Sequence, residues 1–83
     1  MRVLYFAWVR ERIGTGEEEV EPPAGVHTLA DLAIWLRDRS AGHAEALADI
    51  TRLRGAIDQR FVALDAEIGA AREVALFPPV TGG

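Results

Sequence analysis

The chain contains no cysteine, no lysine and no asparagine. Without cysteine there is no disulfide, no thiol nucleophile and no thiolate metal ligand. Without lysine every cationic side chain is an arginine, so no ε-amine is present for a Schiff base or an isopeptide bond. A GC-rich coding sequence would leave the same deficit. Long apolar runs are also missing: nothing approaches the roughly 18–20 consecutive apolar residues that span a bilayer. The opening Met1-Arg2-Val3-Leu4-Tyr5-Phe6 reaches Arg10 too early to form the core of a secretion signal. A cytoplasmic protein with no membrane partner is the expectation.

What is present is one small domain. Its 83 residues leave little room for an internal active-site cavity. The net charge is −4, and acids concentrate at Glu17-Glu18-Glu19 and Glu21. That balance argues against a nucleic-acid partner, which needs a basic stripe. The acidic segment suits either a basic protein partner or a solvated edge.

Residues 2–9 read as a strand rich in β-formers. Alternation places Val3, Tyr5, Ala7 and Val9 on one face and Leu4, Phe6 and Trp8 on the other. Both faces are apolar, as in a central strand or one whose outer side something covers. A turn at Gly14-Thr15-Gly16 leads to a short charged edge strand, Glu17–Glu21, stopped by Pro22-Pro23. Thr28 and Asp31 form a capping-box start for the clearest helix. Leu29, Leu32, Ala33 and Leu36 give it one apolar stripe. Arg37 and Arg39 suit its last turn, Ser40-Ala41-Gly42 is expected to end it, and His43–Asp49 reads as a shorter helix. Leu53–Ile57 and Phe61–Leu64 flank an Asp58-Gln59-Arg60 hairpin turn that lacks the usual glycine. Residues 73–77 form the last strand, and Pro78-Pro79 ends it. The class is α+β. One main helix crossing a mixed sheet of four to five strands, with first and last strands side by side, is the β-grasp arrangement. The expected division is a domain over 1–77 and an extended tail over 78–83.

No ordinary active site emerges from the residue types. His27 and His43 have no partner at metal-ligand spacing, and His43 reads as a surface histidine near a helix end. Gly14-Thr15-Gly16 lacks the third glycine and the lysine of a phosphate loop. Asp31 and Asp38 read as solvated helix acids. Ser40, Thr15, Thr28, Thr51 and Thr81 show no evident histidine base, so no triad is visible.

The end of the chain is different. Two terminal glycines arise by chance in about one sequence in 200. Lacking side chains, Gly82-Gly83 can thread a narrow channel at any backbone angle. Pro78 to Gly83, fully extended, reaches roughly 20 Å at about 3.3 Å per residue. The segment suits delivery of a C-terminal carboxylate into another protein, although a frayed terminus has the same look. A free carboxylate, with a pKa near 3.5, is ionised and unreactive at neutral pH. It would first need activation as an acyl-adenylate by another enzyme.

The ending Glu73-Val74-Ala75-Leu76-Phe77-Pro78-Pro79-Val80-Thr81-Gly82-Gly83 resembles that of the MoaD family, the small sulfur-carrier subunits of molybdopterin synthase. Val3-Leu4-Tyr5-Phe6-Ala7-Trp8-Val9-Arg10-Glu11 with Gly14-Thr15, and the hairpin Ala56-Ile57-Asp58-Gln59, resemble the same family. The likeness is weakest from Glu17 to Asp49. It implies a ubiquitin-like, non-catalytic subunit of a two-subunit sulfurtransferase, binding no cofactor of its own. An E1-like partner would use ATP to adenylate Gly83, and a sulfur donor would convert it to a thiocarboxylate. Docked on the large catalytic subunit, the Gly82-Gly83 tail would pass sulfur to cyclic pyranopterin monophosphate. With no cysteine, the terminal acyl group is the only place to hold that sulfur.

The resemblance further implies a partner-binding patch of Phe6, Phe61 and Phe77, with Arg10 beside it and Pro78, Pro79, Val80 and Thr81 leading into the partner. Three core phenylalanines and a solvated arginine remain open as the plainer reading. Where the family has an Asp-Gly-Asp turn before the last strand, this chain has Ala70-Ala71-Arg72, so Gly69 is expected to supply a positive φ. Rival functions with the same tail are a carrier for thiazole or tRNA thiolation, a ubiquitin-like protein modifier, and a β-grasp interaction module.

Overall fold

The computed structural model describes residues 1–79; Val80, Thr81, Gly82 and Gly83, on which the tail chemistry rests, lie outside the described residues. The elements run β1 (Arg2–Tyr5), α1 (Ala7–Ile13), β2 (Glu17–Glu19), α2 (Leu29–Leu36), α3 (Ala41–Ala46), β3 (Arg54–Ile57), β4 (Arg60–Val62) and β5 (Glu73–Phe77). Short 3-10 turns occupy Arg37–Arg39 and Ile50–Arg52. The sheet order is β2-β1-β5-β3-β4. β1 and β5 are parallel, and the other neighbouring pairs are antiparallel. The first and last strands therefore lie side by side, as expected for a β-grasp sheet. A parallel pair needs a long crossover, and the segment carrying α2 supplies it.

The α2 stripe behaves as its spacing predicts. Leu29, Leu32, Ala33 and Leu36 are all fully buried, against Val3 and Tyr5 of β1 and Val74 and Leu76 of β5. Each such leucine contributes about 1.5–3 kcal/mol by leaving water. The capping box closes as read: the Asp31 N–H donates to Thr28 Oγ1 at 3.1 Å, and the Thr28 N–H donates to Asp31 Oδ2 at 3.1 Å. Hydrogen bonds from the His27 and Thr28 amides hold the Asp31 carboxyl below the usual carboxylate range.

The first long strand is shorter than its composition predicts. β1 stops at Tyr5, and residues 7–13 form α1. Ala7 turns the corner at φ 54°, a left-handed conformation uncommon outside glycine. Val9 is buried, and Ile13 one turn later packs against the core, so helical spacing rather than alternation decides what faces inward. Ala7 is exposed and does not share a strand face with Val3 and Tyr5. Trp8 and Val9 are β-formers by propensity, but packing overrides a preference that small. The helix did leave a signature: Arg10 and Arg12 in its last turn, then Gly14 in the αL conformation.

Ser40-Ala41-Gly42 does not simply end the main helix. α2 stops at Leu36, and Ser40 is the N-cap of α3, its side chain accepting from the His43 N–H. Gly42 lies within α3, where a β-carbon would collide with the Arg12 carbonyl oxygen. Glycine there lets α3 close against the end of α1. The edge strand is also shorter, Glu17–Glu19. The hairpin turns on Asp58 and Gln59, at φ 48° and 71°, a mirror-type turn made without glycine. Asp58 Oδ1 accepts from the Arg72 and Glu73 amides at 3.0 Å each. That ties the turn to the start of β5. Gly69 has φ +46° at the preceding turn, which is the geometry expected for the altered loop.

Candidate functional site

Sheet register determines which side chains share the face away from α2. On β5, Val74 and Leu76 are buried, so Glu73, Ala75 and Phe77 point the other way. On β3, a β-carbon at Gly55 would meet the Leu29 side chain of α2, so Arg54 and Ala56 point outward. Leu4 pairs with Ala75, Ala75 with Ala56, and Ala56 with Phe61. An apolar row thus crosses four strands.

The three phenylalanines stand at the end of this face nearest Pro78. Phe77 sits in the middle, its ring centroid 6.5 Å from Phe6 and 5.8 Å from Phe61, both edge-on. Phe61 is 85% exposed and Phe6 47%, so they are not core phenylalanines. Chains rarely leave aromatic rings so open without a use for them. Pro78 and Pro79 continue directly from β5.

Arg10 lies on α1, so strand alternation with Phe6 does not place it. Its guanidinium lies against Gly16, where a β-carbon would stand 3.2 Å from Cζ. Sequence reasoning missed Arg54. It lines a shallow groove with Gly55, Phe61, Val62, Phe77 and Pro79. Its Nη1 donates to the carbonyls of Leu53 at 2.8 Å and Thr51 at 3.4 Å. The signal available was its position one residue before a small-residue stretch in an alternating strand.

His43 is the clearest correction among the chemistry-bearing residues. It is buried, at 6% exposure, because α3 turns it toward the sheet rather than to solvent. Its Nε2 lies 2.7 Å from Glu18 Oε1, and Ser40 Oγ lies 2.7 Å from its Nδ1. Ser40 therefore does have a histidine neighbour. Glu18 Oε1 also accepts from the Tyr5 hydroxyl at 2.7 Å and faces Arg39 Nε at 3.3 Å. Burial pushes the Glu18 carboxyl up, but the Tyr5 and His43 hydrogen bonds and the His43 and Arg39 charges outweigh it and hold it low. Burial, with the Glu18 bond, drives the Tyr5 phenol far up. Both imidazole nitrogens are engaged and the ring is covered, so the group clamps β1 and β2 to α3. Among the described residues, no buried side-chain polar atom lacks a partner. Nor does any group of three or more His, Asp or Glu there stand ready to hold a metal ion. No helix among them is long and apolar enough to cross a membrane.

A five-stranded mixed sheet with parallel first and last strands, crossed by a capped helix, defines a ubiquitin-like β-grasp protein. Solved structures agree. SAMP1 from Haloferax volcanii superposes with a TM-score of 0.70 at 27% identity, over 100% of this chain and 98% of that one. A Pyrococcus furiosus structure described as molybdopterin converting factor subunit 1 gives a TM-score of 0.73 at 31% identity, over 95% of each chain. Residues 3–83 match the ThiS family, and the chain belongs to that family of ubiquitin-like sulfur carriers. It is 41% identical over 83 residues to the molybdopterin synthase sulfur carrier subunit of Escherichia coli, covering 100% of this chain and 99% of the other. It is 34% identical to the protein of the same description from Mycosarcoma maydis, over 100% of this chain and 92% of that one.

Proposed function

We propose that this chain is the sulfur-carrier subunit of molybdopterin synthase. The observation that carries the reading is the cluster of exposed Phe6 and Phe61 around half-buried Phe77 of β5, the strand that continues into Pro78-Pro79. A docking face at the root of a Gly-Gly tail is what a carrier needs. The partner holds the domain by Phe6, Phe61 and Phe77, with Arg10 at the border, while residues 78–83 reach its active site. The full-length likeness to two curated carrier subunits supports the precursor of molybdopterin as the acceptor.

The chemistry belongs to Gly83. An E1-like enzyme joins its carboxylate to the α-phosphate of ATP, releasing pyrophosphate. A donor of sulfide-level sulfur then displaces AMP from the acyl carbon, leaving a thiocarboxylate. On the large subunit that sulfur displaces an oxygen substituent from a carbon of cyclic pyranopterin monophosphate, and water cleaves the resulting thioester, leaving the thiol on the acceptor and the carboxylate on Gly83. A dithiolene holds two sulfurs, so two charged carriers serve each product. The chain itself holds no cofactor, and ATP is consumed by the activating partner. Its working place is the cytoplasm.

Intact-mass measurement of the protein from its native cells tests this directly. A fraction with one oxygen replaced by sulfur is expected. Only unmodified mass in cells making molybdopterin, or a covalent conjugate to other proteins in its place, would count against a carrier. Deleting Gly83 abolishes sulfur transfer with little change in stability. Transfer by the truncated chain would sink the mechanism. Phe77→Asp is expected to weaken binding to the large subunit.

A further inference from the structure

The outer sheet face is apolar through its centre and charged at both ends: Arg2 and Glu73 pair at one end at 3.2 Å, and Arg54 stands at the other, beside the phenylalanines. Gly55 faces α2, which forces Arg54 outward, and the β3–β5 register sets it opposite Phe77. It shares the groove with Phe61, Phe77 and Pro79.

Among the described residues, no acid holds the Arg54 side chain. Nη1 is spent on the Leu53 and Thr51 carbonyls, and no carboxylate among the described residues lies within ion-pair distance of it. Nε and Nη2 form no hydrogen bond to the described residues. Arg52, two residues earlier, is turned away and stacks over Trp8 at 5.6 Å. A guanidinium oriented by its own backbone loses little freedom when a carboxylate arrives, and its planar fork matches that group in two bonds. Charges at the rim of an apolar patch govern encounter rate and partner choice more than raw affinity.

We infer that Arg54 is a charge-selecting contact of the docking face. The partner that seats an apolar side chain in the groove lined by Phe61, Phe77 and Pro79 presents an Asp or Glu carboxylate to Nε and Nη2 of Arg54. The inference rests on the docking-face reading above and adds the chemistry of the partner's contact.

Association of the full chain with the large synthase subunit of the same organism, followed at low and high salt, tests it. Arg54→Glu lowers the association rate roughly tenfold at low salt, and the gap narrows as salt rises. Arg54→Gln gives a smaller loss with the same trend and guards against a folding defect in the charge reversal. Replacing the facing partner carboxylate by lysine restores association to Arg54→Glu. A rate and salt dependence unchanged in both variants overturns the inference. Phe77→Asp, run alongside, separates the two levels. If it alone weakens binding, only the Arg54 contact falls; if all three variants bind like the parent, the docking face falls as well.

Discussion

His43 Nε2 lies 2.7 Å from Glu18 Oε1, joining α3 to the acidic edge strand across 25 residues of sequence. The same oxygen takes the Tyr5 hydroxyl, so one carboxylate holds three elements. Removing that carboxylate leaves a phenol at 1% exposure and a covered imidazole without their acceptor. Glu18→Ala is expected to lose about 3 kcal/mol, against about 1 kcal/mol for Tyr5→Phe, which removes a donor and strands nothing. Urea midpoints measure both. A smaller loss for Glu18→Ala than for Tyr5→Phe would refute the clamp.

Acid is expected to release the same clamp. The Glu18 carboxyl is held below its ordinary value of 4.5 in the folded chain. The unfolded chain therefore takes up its proton first as pH falls. The stabilisation is fully present above pH 4.5 and is lost below it, as pH falls through the folded value. Asp31 and Asp49 are also held low and add to the same slope. Glu18→Gln should therefore flatten only part of the fall in stability below pH 4.5, measured by denaturation at stepped pH. An unchanged slope would show that Glu18 is not linked to folding.

Gly42 reverses a general rule. Alanine in a helix interior is favoured over glycine by about 1 kcal/mol. At this position a β-carbon meets the Arg12 carbonyl oxygen, and backbone cannot step aside as a side chain can. Overpacking of that kind costs about 1–3 kcal/mol. Gly42→Ala should therefore lower the melting temperature by several degrees. A higher melting temperature would mean that α1 and α3 do not meet there.

Phe61 separates stability from binding. At 85% exposure, its replacement by alanine is expected to move stability by less than about 0.5 kcal/mol. Affinity for the large subunit should nonetheless fall roughly tenfold or more, as for an aromatic anchor. Thermal melting beside calorimetric titration makes the comparison. Equal affinity in the variant would remove Phe61 from the docking face.

Much of the fold was legible because its signals are local. The spacing of Leu29, Leu32, Ala33 and Leu36 and the Thr28–Asp31 box act within one helix. Pro78-Pro79 stops β5 directly after Phe77 by lacking an N–H, whereas β2 already ends at Glu19, three residues before Pro22. The strand over 2–9 misled because a run apolar on both faces satisfies either period. Only packing of Val9 and Ile13 decides for the helix. Arg10 and Arg12 before Gly14 were the local clue that the alternation overrode.

The candidate site divides in the same way. Composition and the Gly82-Gly83 ending, without any thiol, leave a carboxylate carrier and a frayed terminus both open, and the family resemblance of the Phe77–Gly83 segment favours the carrier. Reactivity there depends on residue type and chain position, which a sequence records. That Phe6, Phe61 and Phe77 converge, that Arg54 borders them, and that His43 is buried against Glu18 were decided by tertiary structure. Those relations depend on the β1–β5 and β3–β5 registers and on how α3 closes over the sheet. They are contacts between residues tens of positions apart, which no local pattern contains.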